Sequence, residues 1–142
     1  MQNEAIRRAG IDAVYVPFHV APESLPGAVA AIRALGLAGV NVTIPHKEAV
    51  LPLLDEVTAD ASRIGAVNTI VNRKGRLVGY NTDGAGFVQS LREDLDFDPG
   101  GCRAVFLGAG GACRAALYAL AEAGAGEIVL VNRTVERAET LR

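Results

Sequence analysis

Glycines that follow a short apolar run are the first chemistry in this sequence. Gly108-Ala109-Gly110-Gly111-Ala112-Cys113 comes after Ala104-Val105-Phe106-Leu107 and opens an alanine-rich stretch. Glycine permits a sharp strand-to-helix turn and lets backbone N–H groups approach an anion at the positive end of the helix. Strand, turn, helix and second strand in that order point to the pyrophosphate of a dinucleotide; the plain alternative is a tight turn with no ligand. Cys113 stands where a third Gly or Ala is usual, and is still small enough for close helix packing. About 20 residues past the glycines, where a carboxylate would accept ribose hydroxyls, the chain has Asn132-Arg133-Thr134, with Arg137 a helical turn on. A guanidinium grips a 2′-phosphate that a carboxylate would repel, so NADP is expected over NAD. The alternative leaves Arg133 and Arg137 as solvated surface charges.

A second polar set lies upstream. Asn41-Val42-Thr43-Ile44-Pro45-His46-Lys47 delivers Thr43 and Lys47 at the carboxyl end of a strand, the edge where open parallel sheets bind ligands. Gly65-Ala66-Val67-Asn68-Thr69 puts Asn68 at a strand start, and Asn81-Thr82-Asp83-Gly84 begins a helix. Each has an ordinary explanation: Asp83 as an N-cap, Asn81 as a turn former, Lys47 as a surface charge. Together they suit a polyhydroxylated substrate. A ketone that takes up hydride needs a proton on its oxygen, which a lysine supplies while an aspartate orients the ammonium. His19 and His46 are read as structural.

The elements that must hold these residues alternate between β-branched and alanine-rich runs, as in α/β folds. Helices are expected at 1–9, 22–35 and 46–54, and strands at 13–18 and 39–44, parallel because helices cross between them. Arg73-Lys74-Gly75 links strands 67–72 and 76–80 as a hairpin. A helix starts at Asp83, with Phe87, Leu91 and Leu95 at helical spacing, and 96–101 is the best linker in the chain. Strands at 104–107 and 127–131, a helix between them and a last helix capped by Thr134 complete the pattern. Two α/β segments joined near residue 99 result.

Composition excludes several classes. The 142 residues are half hydrophobic and carry a net charge of −2, so no basic field exists for nucleic acid or an anionic membrane. Two cysteines and two histidines without paired spacing argue against a disulfide scaffold or a metal site. No apolar run is long enough to span a bilayer and the N-terminus is polar, so a soluble cytoplasmic protein is expected, with a small molecule as its partner.

Asn41 to Lys47, Gly65 to Thr69, Asn81 to Gly84, Gly108 to Ala112 and Asn132 to Thr134, in this order along the whole chain, resemble the shikimate dehydrogenase family. The resemblance implies reversible, NADP-dependent reduction of 3-dehydroshikimate to shikimate, on the route to chorismate and the aromatic amino acids. It makes Lys47 the catalytic acid/base and Asp83 its partner, with Thr43, Lys47, Asn68 and Asp83 on the substrate. Gly108, Ala109, Gly110, Gly111 and Ala112 would hold the pyrophosphate, and Asn132, Arg133, Thr134 and Arg137 the 2′-phosphate. The implied architecture is a parallel-sheet substrate-binding domain over 1–98, followed over 99–142 by the first βαβ unit of a Rossmann NADP-binding domain.

The family begins with a strand and a Ser-x-Ser motif, just before a helix like Met1-Gln2-Asn3, and continues beyond the helix after Thr134. The chain is therefore read as an internal fragment, truncated at both ends, inactive and poorly folded on its own. A quinate/shikimate dehydrogenase of wider range and a non-catalytic nucleotide-binding remnant are the alternatives. An S-adenosylmethionine loop fails at Arg133, where an acidic residue would be wanted.

Overall fold

A computed structural model describes residues 1–141, apart from the side chain of Arg137. Helix α1 (Gln2–Arg8) ends ahead of Gly10, whose φ of +66° turns the chain out of the helix. A 3₁₀ turn at Pro22–Ser24 leads into α2 (Leu25–Ala34), which buries Leu25, Val29 and Ile32 along one face and stops before Gly36 at φ +62°. Strand β1 (Gly39–Asn41) is followed by α3 (His46–Ala49), a 3₁₀ turn at Leu51–Leu53, β2 (Glu56–Val57) and α4 (Ala59–Ile64). The helix expected over 46–54 breaks after Ala49 because Pro52 has no N–H to continue the ladder. Strands β3 (Thr69–Arg73) and β4 (Arg76–Tyr80) form the expected hairpin; Lys74 and Gly75, at φ 56° and 92°, make its two-residue turn.

The first sheet runs β1-β3-β4-β2. It is mixed, not parallel: β1 and β4 both lie antiparallel to β3, and only β2 runs parallel to β4. The segment 13–18 forms no strand. It lies beside α1, where Asn3 Nδ2 donates to Tyr15 O at 2.9 Å and the Tyr15 N–H to Asn3 Oδ1 at 2.7 Å. A strand needs a neighbouring backbone along its length, and one asparagine substitutes for a single rung; Val14 and Phe18 remain 75% and 66% exposed. The crossover that would have made 13–18 and 39–44 parallel therefore does not form. The first core, Val29, Ile32, Val50, Val67, Ile70 and Leu77 among others, lies between α2 and this sheet.

Helix α5 (Asp83–Leu95) leads through 96–101 to β5 (Arg103–Leu107), α6 (Gly111–Glu122), β6 (Glu127–Val131) and α7 (Val135–Glu139). Strands β5 and β6 pair in parallel from Arg103 beside Glu127 to Leu107 beside Val131, as a βαβ unit requires. The buried face of α5 passes through Gly84 and Val88, whereas Phe87 and Leu95 are exposed. Gly84 explains the offset. A Cβ there would stand 2.6 Å from Ala115 O, so the missing side chain is what lets α6 approach that face. Among the described residues no helix is long and apolar enough to cross a membrane.

Candidate active site

The carboxyl edge of the first sheet is where the polar set converges. Lys47 lies in α3, directly after the cis Ile44–Pro45 peptide, and its carbonyl accepts the Val67 N–H at 2.8 Å. That bond sets α3 against the 65–69 segment. Asp83 is the first residue of α5, delivered by the turn after β4. Although 36 positions apart, Lys47 Nζ donates to Asp83 Oδ2 at 2.5 Å, with the two side chains 15% and 29% exposed. A pair this shielded keeps its attraction where a surface pair would lose it to solvent.

Asn68 holds the carboxylate from the other side. It is buried, donates from Nδ2 to Asp83 Oδ1 at 2.7 Å and to Thr82 Oγ1 at 2.9 Å, and accepts the Thr82 N–H and the Thr69 hydroxyl at Oδ1, both at 3.0 Å. Both Asp83 oxygens are thus engaged, and no described buried side-chain polar atom lacks a partner. Thr43 is exposed at the end of the β1 segment, and its carbonyl accepts the His46 N–H at 2.8 Å. His46 Nε2 meets Val20 O at 2.8 Å, a structural tie to the chain before α2.

The glycine turn reaches the same place. Gly108 adopts φ +114°, its N–H bonds to Val131 O at 2.8 Å, and Gly110 is the N-cap of α6. The open first turn of α6 therefore sits at the carboxyl edge of its own sheet, with N–H groups that have no intrahelical acceptor. A Cβ on Gly111 would lie 3.4 Å from Ala66 Cβ and 3.8 Å from Lys47 Cβ and Cδ. The start of α6 at Gly111 therefore lies next to Ala66 and the Lys47 side chain. A Cβ on Gly108 or Gly110 would meet nothing within 4 Å, which leaves the loop surface clear for a pyrophosphate. Cys113 turns inward: its thiol donates to Gly108 O at 2.9 Å, and burial pushes its pKa up against the opposing charge of Arg114, so it stays a neutral thiol.

The β5–β6 register brings Asn132-Arg133-Thr134 to the same edge as Gly108. Asn132 Nδ2 donates to Thr134 O at 2.6 Å, which shapes the turn into α7, and Arg133 is exposed. Ala109 is buried and Ala112 exposed in the loop. The side chain of Arg137 lies outside the described residues. Two residues of the Asn81 to Gly84 motif received no site role from the sequence: Thr82, which accepts from Asn68, and Asn81, read there as at most a turn former, which bonds the backbone of Ala66 and of Asp83. Their only local signal was their place beside Asp83.

Comparison with known proteins matches residues 1–70 to the shikimate dehydrogenase substrate binding domain. A shikimate dehydrogenase (NADP(+)) of Geobacillus sp. (strain WCH70) is 56% identical over 141 residues, which cover 99% of this chain and 51% of that protein. That of Geobacter metallireducens is 55% identical over 99% of this chain and 49% of its own length. Shikimate 5-dehydrogenase of Thermus thermophilus, solved in complex with NADP(H) and shikimate, superposes with TM-score 0.90 at 43% identity, covering 99% of this chain and 52% of that one. A 5-ketofructose reductase of Gluconobacter sp. strain CHM43 superposes with TM-score 0.86 at 45% identity, over 98% and 50%. The chain spans about half the length of the curated relatives it matches.

Proposed function

We infer that the chain belongs to the shikimate dehydrogenase family, and from that premise we propose that it carries the acid–base and substrate-binding half of an enzyme that reversibly reduces 3-dehydroshikimate to shikimate with NADPH. Residues 1–98 are then the substrate-binding unit and 99–142 open the nucleotide-binding unit. The observation that carries this reading is the Lys47–Asp83 pair, clasped by Asn68, with the Lys47 side chain next to Gly111 at the start of α6.

In this mechanism Lys47 gives a proton to the ketone oxygen as it becomes a hydroxyl, and removes it again in the reverse direction. Asp83 orients the ammonium and accepts a substrate hydroxyl, while Asn68 keeps the carboxylate from rotating away. Thr43 adds a hydrogen bond to the polyhydroxylated ring, and Asn68 adds one by exchanging its Thr82 or Asp83 partner for a ring hydroxyl. Gly108 to Ala112 would hold the pyrophosphate of NADP, with Asn132, Arg133, Thr134 and Arg137 around the 2′-phosphate. Bound NADPH supplies the hydride.

The test joins this chain in frame to the remaining half of the Geobacillus relative and follows NADP reduction with shikimate. Turnover is expected from the joined protein and none from the 142 residues alone, which present only β5 and β6 of a nucleotide-binding sheet. Lys47→Ala in the joined protein should lower kcat by about 10²–10⁴, with a smaller effect on KM. Near-normal kcat in that variant would remove Lys47 as proton donor. A second reading, reduction of an acyclic keto-sugar, rests on the likeness to 5-ketofructose reductase. Turnover of 5-ketofructose in place of 3-dehydroshikimate would favour it.

A further inference from the structure

Asn81 bridges the two pieces of backbone between which the acid–base pair is held. Its Nδ2 donates to Ala66 O at 3.0 Å, and its Oδ1 accepts the N–H of Asp83 at 3.0 Å. Ala66 is wholly buried; it precedes Val67, which bonds Lys47 O, and Asn68, which bonds the Asp83 carboxylate. A Cβ on Gly111 at the start of α6 would also stand 3.4 Å from Ala66 Cβ. A single amide thus fixes the start of α5 against the segment that touches Lys47, Asn68 and the glycine turn. An amide suits this place because one bond needs a donor and the other an acceptor, and its two ends supply both.

We propose that Asn81 is a positioning residue for Asp83, setting the carboxylate where it meets both Lys47 and a substrate hydroxyl. The role rests on the proposed shikimate site. Without the amide, the Asp83 backbone is free to shift at the β4–α5 corner, and a shift near ~1 Å is enough to spoil a two-sided hydrogen-bond arrangement.

Calorimetric titration of the joined protein described above with shikimate tests it, with urea unfolding of each variant as the check on folding. Asn81→Ala should weaken shikimate about tenfold, within the range of coupling between residues of one network. Asn81→Ser keeps an acceptor for the Asp83 N–H and should recover affinity to within about threefold of the parent. In an Asp83→Asn background, adding Asn81→Ala should change affinity less than about twofold, because the group it positions is already altered. A merely structural role predicts the same loss in both backgrounds, and that result would overturn the proposal. So would unchanged affinity in Asn81→Ala, or an Asn81→Ser variant as weak as Asn81→Ala. If the unsubstituted joined protein takes up no shikimate, the proposed function fails first and this role with it. If it binds and the variants do not discriminate, only the role of Asn81 fails.

Discussion

Charge and hydrogen-bond complementarity at single residues separate the two cofactor chemistries. Arg133 stands at the end of β6, on the edge that Gly108 shares through Val131 O, and offers a full positive charge where a carboxylate would select the ribose hydroxyls of NAD. Replacing Arg133 by Ala should weaken NADP roughly tenfold and leave NAD nearly unchanged, the loss expected for one charge-assisted contact. Parallel titrations with the two nucleotides measure it. Equal losses would return Arg133 to an ordinary surface charge. Cys113 adds a neutral contact to the same loop: its thiol donates to Gly108 O, and burial raises its pKa further.

Packing between elements sets the distance between the two halves of the site. Helices α5 and α6 touch at Gly84, where an added Cβ would meet Ala115 O at 2.6 Å and Ala119 Cβ at 3.0 Å. Gly84→Ala must therefore push α5 away from α6 or bend it, despite the better helix propensity of alanine. It should cost about 1–3 kcal/mol, as overpacking of a close contact does, read as a lower urea midpoint. A second element-scale link joins α2 to β4 through Asp55. The backbone N–H of Leu77 at 2.6 Å, and then Arg33 at 2.7 Å, hold the Asp55 carboxyl below its ordinary value of 3.8. A depressed carboxyl stabilises the folded chain fully above its ordinary value and ceases to do so as pH falls through the lowered one. Asp55→Asn should thus lose less stability than the parent between about pH 6 and pH 3, with urea midpoints at the two values as the measurement. A parent and variant that fall in parallel would show that Asp55 carries none of the acid sensitivity.

Across the whole molecule, burial is uneven. The first sheet has a continuous core, whereas the two-stranded sheet leaves Val105, Leu107 and Val131 exposed at 60%, 84% and 51%. Apolar side chains on an uncovered sheet face beside open edges favour association between chains. The 142-residue chain should therefore bind a hydrophobic dye and aggregate with increasing concentration. Val105→Lys should suppress both while leaving the unfolding midpoint nearly unchanged, since Val105 buries little. Light scattering and dye fluorescence across a concentration series check this; equal aggregation in the variant would place the sticky surface elsewhere.

Local order was legible in the residues wherever the backbone itself made the demand. Arg73-Lys74-Gly75 reads as a hairpin link, which the structure narrows to Lys74 and Gly75 at positive φ, and the stretch from Gly108 reads as a strand-to-helix turn, whose corner Gly108 makes at φ +114°. β6 spans 127–131, the residues its apolar run marked. The short pieces were not legible: two-residue β2 has no periodicity to show, and α4 offers fewer than two turns. Tertiary structure alone decided the pairing. Residues 13–18 have the composition of a strand and no backbone beside them to make one, and the β1–β3 antiparallel register turned an expected parallel sheet into a mixed one. It alone decided the site as well. Residue types nominate Lys47, Asn68 and Asp83, but their contact joins positions up to 36 apart, and chain folding over such distances is set by core packing, which leaves no mark in the sequence next to the residues it brings together.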